Sequence, residues 1–168
     1  FNTHLHSDHC GGNALLQEEY GCHTAIPVSE ADKVRAWDTD ALSFRATGQQ
    51  CDPFTFDATV TPGDTLTLAD MCWQALGAPG HDPHSLIFYC AAEGILVSAD
   101  ALWENGFGVI FPELEGASGF AEARATLEAR FAYCFRQRAG SGYPATLEAS
   151  TVVPPEPVRI EGRGGTIE

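Results

Sequence analysis

Basic residues are scarce in this chain of 168 residues: nine Lys and Arg stand against 23 Asp and Glu, a net charge of −14. Self-repulsion of that size works against phosphate backbones and anionic membrane surfaces, so neither nucleic acid nor membrane is an expected partner. No run approaches the roughly 18–20 continuous apolar residues of a membrane helix. The opening Phe1-Asn2-Thr3-His4 has neither the basic nor the apolar stretch of a signal peptide. The six cysteines, Cys10, Cys22, Cys51, Cys72, Cys90 and Cys134, form no CxxC pair. A domain of this size does not need disulfides to hold its core, which makes reduced thiols in a cytoplasmic protein the expectation. An initiator Met is missing, and the chain reads as a piece cut from something longer. No internal repeat is visible. With 44% apolar and 19% charged residues, one globular domain is expected, and a disordered chain or long coiled coil is excluded.

Local patterns suggest the elements. Residues 13–20 read as a short helix that Gly21 ends in the left-handed conformation. Residues 23–28 read as a strand, and Ser29 as the N-cap of a helix through about Trp37. Residues 38–53 show little periodicity and read as an irregular loop or weak helix. From Phe54 the period is two, which predicts a hairpin of 54–60 and 65–68 around the turn Thr61-Pro62-Gly63-Asp64. Strands at 71–76 and 85–91 follow, and the run 95–100 ends abruptly on the carboxylate of Asp100. Beyond a Gly- and aromatic-bearing loop at 103–119, Ser118 is expected to cap a helix. Its buried stripe would be Phe120, Ala123, Leu127, Phe131 and Cys134. Five Arg and four Glu follow residue 128, whereas residues 1–128 carry four basic and 19 acidic residues. With its Pro and Gly content, 139–168 is expected to be a loose tail after a domain at 1–138.

The chemistry gathers in Thr3-His4-Leu5-His6-Ser7-Asp8-His9. An extended backbone would send residues 4, 6 and 8 to one side, and a turn at His9 into Gly11-Gly12 would swing a fourth group toward them. Clustered imidazoles and a carboxylate are costly to bury without a cation. The plain alternative, an exposed polar loop or a tag remnant, fits poorly, because tags repeat His without interleaved Leu, Ser and Asp. His81, in the turn Pro79-Gly80-His81-Asp82-Pro83-His84, and Asp100 are further candidates. Alone, they would read as a hydrogen-bonded loop histidine and a helix cap.

Taken together, HxHxDH, Pro-Gly-His some seventy residues on, and a strand ending in Asp resemble the metallo-β-lactamase superfamily, in particular its glyoxalase II-like hydrolases. The similarity covers about residues 2–120. It implies an α/β fold, an αββα sandwich truncated at both ends, with one or two metal ions at the sheet edge. It assigns His4, His6 and His81 to a first ion, Asp8 and His9 to a second, and Asp100 to the bridge between them. Zinc is the implied metal, with iron or manganese as alternatives.

Three imidazoles and a water make a tetrahedral zinc site whose water has its pKa lowered to about 7. The reading is a metal-dependent hydrolase whose zinc-bound hydroxide attacks an ester-like carbonyl in a small molecule: a thioester, lactone or lactam. Asp8 is the catalytic candidate, orienting the nucleophile and exchanging its proton. Two further readings stay open, an iron-dependent sulfur dioxygenase of the same fold and an inactive metal-binding fragment. His84 is a substrate contact or a structural turn residue, His23 a partly buried strand histidine, and Cys10 a buried thiol or a soft ligand. Trp103, Glu104, Asn105 and Phe107 line a pocket or pack over the sheet.

The chain departs from the family in two places. The strands that usually precede HxHxDH are absent, and all six histidines lie at or before His84, which leaves the second site short of its usual downstream imidazole. A frameshifted, misassembled or truncated reading frame near residue 130 would account for the change in composition. Uncovered sheet edges are expected to promote self-association.

Overall fold

Period-two alternation along the central strands divides their side chains between two apolar layers, and a third layer lies beyond the smaller sheet. In the computed structural model, which describes residues 1–103, 106–111 and 118–134, β4 is Met71–Gly77 and β5 is Leu86–Cys90. Trp73, Ala75, Leu86, Phe88 and Cys90 point one way. Leu76, Ile87 and Tyr89 point the other. All five residues of β5 are buried, as a strand covered on both faces must be.

The first set packs on Ala25 and Val60 of a second sheet, in which β1 (Ala25–Pro27) pairs in parallel with β2 (Ala58–Val60). The second set packs on Cys134 and Tyr133 of the last described helical segment. On the far side of β1, Ile26 joins Leu5, Cys10, Val34, Leu42, Phe44 and Phe54. These come from α1 (Ser7–Cys10), α3 (Ala31–Ala36), α4 (Phe44–Thr47) and the loops beside them. The layers therefore run helix, sheet, sheet, helix, the sandwich that the sequence resemblance implies.

The four-stranded sheet has the order β3-β4-β5-β6, all antiparallel, with β3 at Thr65–Leu68 and β6 at Ile95–Val97. Its outer strands leave Leu68, Ile95 and Val97 exposed. α2 (Asn13–Tyr20) ends at Gly21, which is left-handed at φ 61° as expected. Helix α5 (Phe120–Thr126) runs on as one wider π turn, Leu127–Phe131. Among the described residues no helix is long and apolar enough to cross a membrane.

Several expectations are corrected. Residues 54–68 form no hairpin: β2 joins β1, and β3 joins β4. The backbone at Thr55 is satisfied by a side chain instead of a ladder. Gln17 Nε2 donates to Thr55 O at 2.6 Å, and Thr55 N donates to Gln17 Oε1 at 3.1 Å. Phe54 meanwhile turns into the core against Trp37. Ser29 lies inside a 3-10 turn, Val28–Glu30, and makes no side-chain cap. Gly119, not Ser118, precedes α5, with no side-chain cap. In the predicted stripe Ala123, Phe131 and Cys134 are buried, whereas Phe120 is exposed. The 139–168 tail and the boundary at 138 lie outside the described residues.

Candidate metal centre

The opening segment is pinned between the two sheets before it reaches the histidines. Asn2 N donates to Ala25 O at 2.9 Å, and Leu86 N donates to Thr3 O at 2.8 Å. His4 therefore enters the interior completely buried. The chain turns helical at Ser7, not at His9. His6 O accepts both His9 N and Cys10 N, at 2.9 and 3.0 Å. The expected alternation of residues 4, 6 and 8 is thereby broken, because a helical turn and not a strand carries Asp8. Its side chain is 71% exposed. Asn2 Nδ2 donates to His9 O at 2.9 Å and holds the end of this turn. Gly11 allows it to close: a Cβ there would stand 2.4 Å from Ser7 O.

His81 comes from the loop between β4 and β5, which α5 buttresses through the Thr126 Oγ1 to Pro79 O hydrogen bond at 2.8 Å. Asp100 sits in a 3-10 turn, Ala99–Ala101, just past β6, and not on the strand itself. Gly108 N reaches back to Asp100 O at 2.7 Å.

These elements bring the six candidates into two groups. One ligand atom each from His4, His6, His81 and Asp100 lies within 4.8 Å of the others, and so does one each from Asp8, His9 and Asp100. Asp100 is common to both. Its Oδ2 stands 3.0 Å from His81 Nε2, 3.3 Å from His9 Nε2 and 3.9 Å from His4 Nε2. His9 Nε2 is 3.5 Å from Asp8 Oδ2, and His6 Nδ1 is 2.8 Å from His81 Nε2.

The electrostatics favour a cation here. Burial, with the neighbouring imidazoles of His9, His6 and His81, holds His4 down from the ordinary 6.5 to about 2, so it is neutral. Burial and the facing His81 also lower His6, against opposing pulls from Asp82 and Asp8. His4 Nδ1 is 3.2 Å from Thr3 Oγ1, but His4 Nε2 is buried without a hydrogen-bond partner among the described residues. An orphaned imidazole nitrogen costs about 1–3 kcal/mol. The ring of His81 is held by Val109 O, which can only accept, so Nδ1 carries the proton at 2.5 Å and Nε2 is left to face Asp100. Converging acceptors of this kind fit a divalent ion.

Some other residues fall away from the centre. His23 precedes β1 with its side chain 91% exposed, 3.4 Å from Asp57, and is not a buried strand histidine. His84 is 3.7 Å from the buried carboxylate of Glu30. Cys10 is a buried thiol donating to Leu5 O at 3.4 Å. Trp103 contacts Asp100 directly, its Nε1 3.1 Å from Oδ1. Glu104 and Asn105 lie outside the described residues. Sequence reasoning missed Gly108, Val109 and Thr3. Only the Gly-rich character of the loop after Asp100 signalled that a backbone passes close by. A cleft of about 210 Å³ borders His6 and is walled by Glu30, Lys33, Ser43, Asp82 and His84.

The sequence profile of the Metallo-beta-lactamase superfamily matches residues 1–155. A hydroxyacylglutathione hydrolase of Rhizobium etli is 26% identical over 111 residues, 66% of this chain and 36% of that protein. Another, from Idiomarina loihiensis, is 33% identical over 109 residues, 65% of this chain and 34% of that protein. The chain thus spans about a third of the length of these curated relatives. Among solved structures, the BLEG-1 B3 metallo-beta-lactamase is similar at a TM-score of 0.59 and 25% identity, over 76% of this chain and 60% of that one. TTHA1623 in a di-iron-bound form shares the fold at 0.59 and 23% identity, over 77% of this chain and 61% of that one. With this profile match over most of its length, the chain belongs to the metallo-beta-lactamase superfamily.

Proposed function

We propose that this chain carries the metal centre of a metal-dependent hydrolase that cleaves an ester-like bond, a thioester before a lactone or lactam. The observation that carries the proposal is the buried Nε2 of His4, without a hydrogen-bond partner among the described residues, beside His6, His81 and Asp100. His4, His6 and His81 would hold a first ion. Asp8 and His9 would hold a second, with Asp100 between the two groups. When bound, such an ion lowers the pKa of its water to about 7 and so supplies a nucleophile at neutral pH. The preference for a thioester rests on the relatives named hydroxyacylglutathione hydrolases, since an acyl group on a glutathione sulfur is a thioester.

The chain's own groups divide the remaining work. Asp8, mostly in solvent beside the centre, accepts the proton of the attacking water and returns it to the leaving group. Asp100 is too enclosed by imidazoles for that exchange, and its charge would balance the cation's. The cleft beside His6 receives the substrate, with Lys33 and His84 offering donors and Glu30 and Asp82 offering acceptors.

The test is turnover of thioester, lactone, β-lactam and phosphodiester substrates before and after dialysis against a chelator. His4→Ala and His6→Ala should lose metal and thioester turnover together. Full activity in the chelated protein refutes the mechanism. Metal uptake without turnover of any substrate leaves the centre and removes the hydrolase. Iron in protein purified without added metal, with oxygen consumed on a sulfur substrate, would favour the dioxygenase reading, whereas three imidazoles around one position favour zinc.

A further inference from the structure

The two oxygens of Asp100 have different surroundings. Oδ2 faces His81, His9 and His4, while Oδ1 accepts the indole N–H of Trp103 at 3.1 Å. A carboxylate free to rotate about its last bond can present either oxygen, or both, to a cation. A donor fixed on one of them removes that freedom. Trp103 is itself 50% exposed, so core packing does not dictate where its ring lies. Backbone contacts place it instead. Trp103 N donates to Gly106 O at 2.7 Å, and Gly108 N closes the loop onto Asp100 O at 2.7 Å. The same loop supplies Val109 O to His81 Nδ1. A single short segment thus orients both His81 and Asp100 from outside the ligand groups.

We infer that Trp103 is a positioning residue of the metal centre, its indole N–H holding Oδ1 so that Asp100 offers Oδ2 alone to both ligand groups. The inference rests on the proposed function, because it assumes that a cation is what Oδ2 meets. Hydrogen bonds to an ionised acceptor are about twice as strong as neutral ones. Partners that orient a ligating carboxylate typically contribute about tenfold to hundredfold in metal affinity.

The experiment separates the ring from its N–H. Trp103→Phe keeps an aromatic ring and removes the donor, whereas Trp103→Gln removes the ring and retains an N–H of similar reach. Chelator-treated wild type and both variants are titrated with Zn²⁺ against a chromophoric chelator. Trp103→Phe should bind about tenfold more weakly, and Trp103→Gln should stay within about threefold of wild type. Wild-type affinity in Trp103→Phe overturns the inference, and so does a Trp103→Gln variant as weak as Trp103→Phe. A second readout needs no metal. In ¹⁵N-labelled metal-free protein the Trp103 indole resonance, identified by its loss in Trp103→Phe, should shift on Asp100→Ala. An unmoved resonance overturns the inference whatever the titration shows. A wild type that takes up no Zn²⁺ fails the proposed function instead, and the indole shift still decides the hydrogen bond.

Discussion

His81 Nε2 and Asp100 Oδ2 face one another at 3.0 Å, although Val109 O already claims the proton on the other nitrogen of His81. Two acceptors at that distance repel unless a proton or a metal ion stands between them. The pair is 19 positions apart in the chain and is held from three sides, by the loop ahead of β5, the turn after β6 and the backbone at 108–109.

That closeness makes Gly108 a sensitive position. A Cβ there would lie 2.6 Å from His81 Nδ1 and 2.7 Å from Asp100 Cβ. Gly108→Ala must therefore push the two side chains apart. It should lower zinc affinity by at least about tenfold, measured by competition with a chromophoric chelator. Unchanged affinity would show that the loop yields at no cost to the centre.

Asp8 should separate binding from chemistry. Its side chain is mostly exposed and belongs only to the group with His9 and Asp100. Asp8→Asn is expected to retain an ion held by His4, His6 and His81, and to reduce thioester turnover by about 10²-fold or more. Metal content and kcat measured on one sample check this. A variant with full turnover would remove Asp8 from the mechanism.

Acid should destabilise the metal-free protein through His4. Its folded value is held to about 2, below the ordinary 6.5, so between these limits the unfolded chain binds the extra proton. Stability is fully present above about pH 6.5 and falls as pH drops through that value toward 2. The slope approaches about 1.4 kcal/mol per pH unit for one proton. Urea denaturation from pH 8 to pH 5 should show this decline, and His4→Gln should flatten it. Equal slopes in both proteins would contradict the burial of a neutral His4.

Thiol chemistry reports on the packing. Cys22 and Cys72 are exposed, whereas Cys10 and Cys90 are fully buried. Burial, with Cys51 beside it, pushes the Cys10 thiol well above its ordinary range. In native protein a maleimide should modify Cys22 and Cys72 first and leave Cys10 and Cys90 untouched, as read by peptide mass mapping. Early labelling of Cys10 would mean that the turn bearing Asp8 and His9 is not packed as described.

Those residues whose chemistry is concentrated were legible in the sequence. HxHxDH, the Pro-Gly-His turn and the acid after an apolar run bring their side chains together because the opening segment, the loop between β4 and β5 and the turn after β6 converge on one place. Strands β4 and β5 were legible for a related reason: their alternating residues each have a layer to face. What escaped was pairing at a distance. Nothing in 54–60 shows that Gln17 will satisfy Thr55, or that 58–60 will lie beside 25–27 and not beside 65–68. The turn at Ser7 was hidden too, since it depends on Asn2 and on the close approach at Gly11. Side chains that hold ligands rather than serve as them, Trp103 above all, carry no spacing signature, because a single indole N–H looks the same wherever it points.

The most direct measurement of the central claim is divalent metal content per chain after chelation and reconstitution, compared between wild type and His81→Ala. The account predicts roughly one to two bound ions in the wild type and loss of the tightly held one in the variant. A wild type that retains no ion, or a His81→Ala variant that binds as well as wild type, would contradict it.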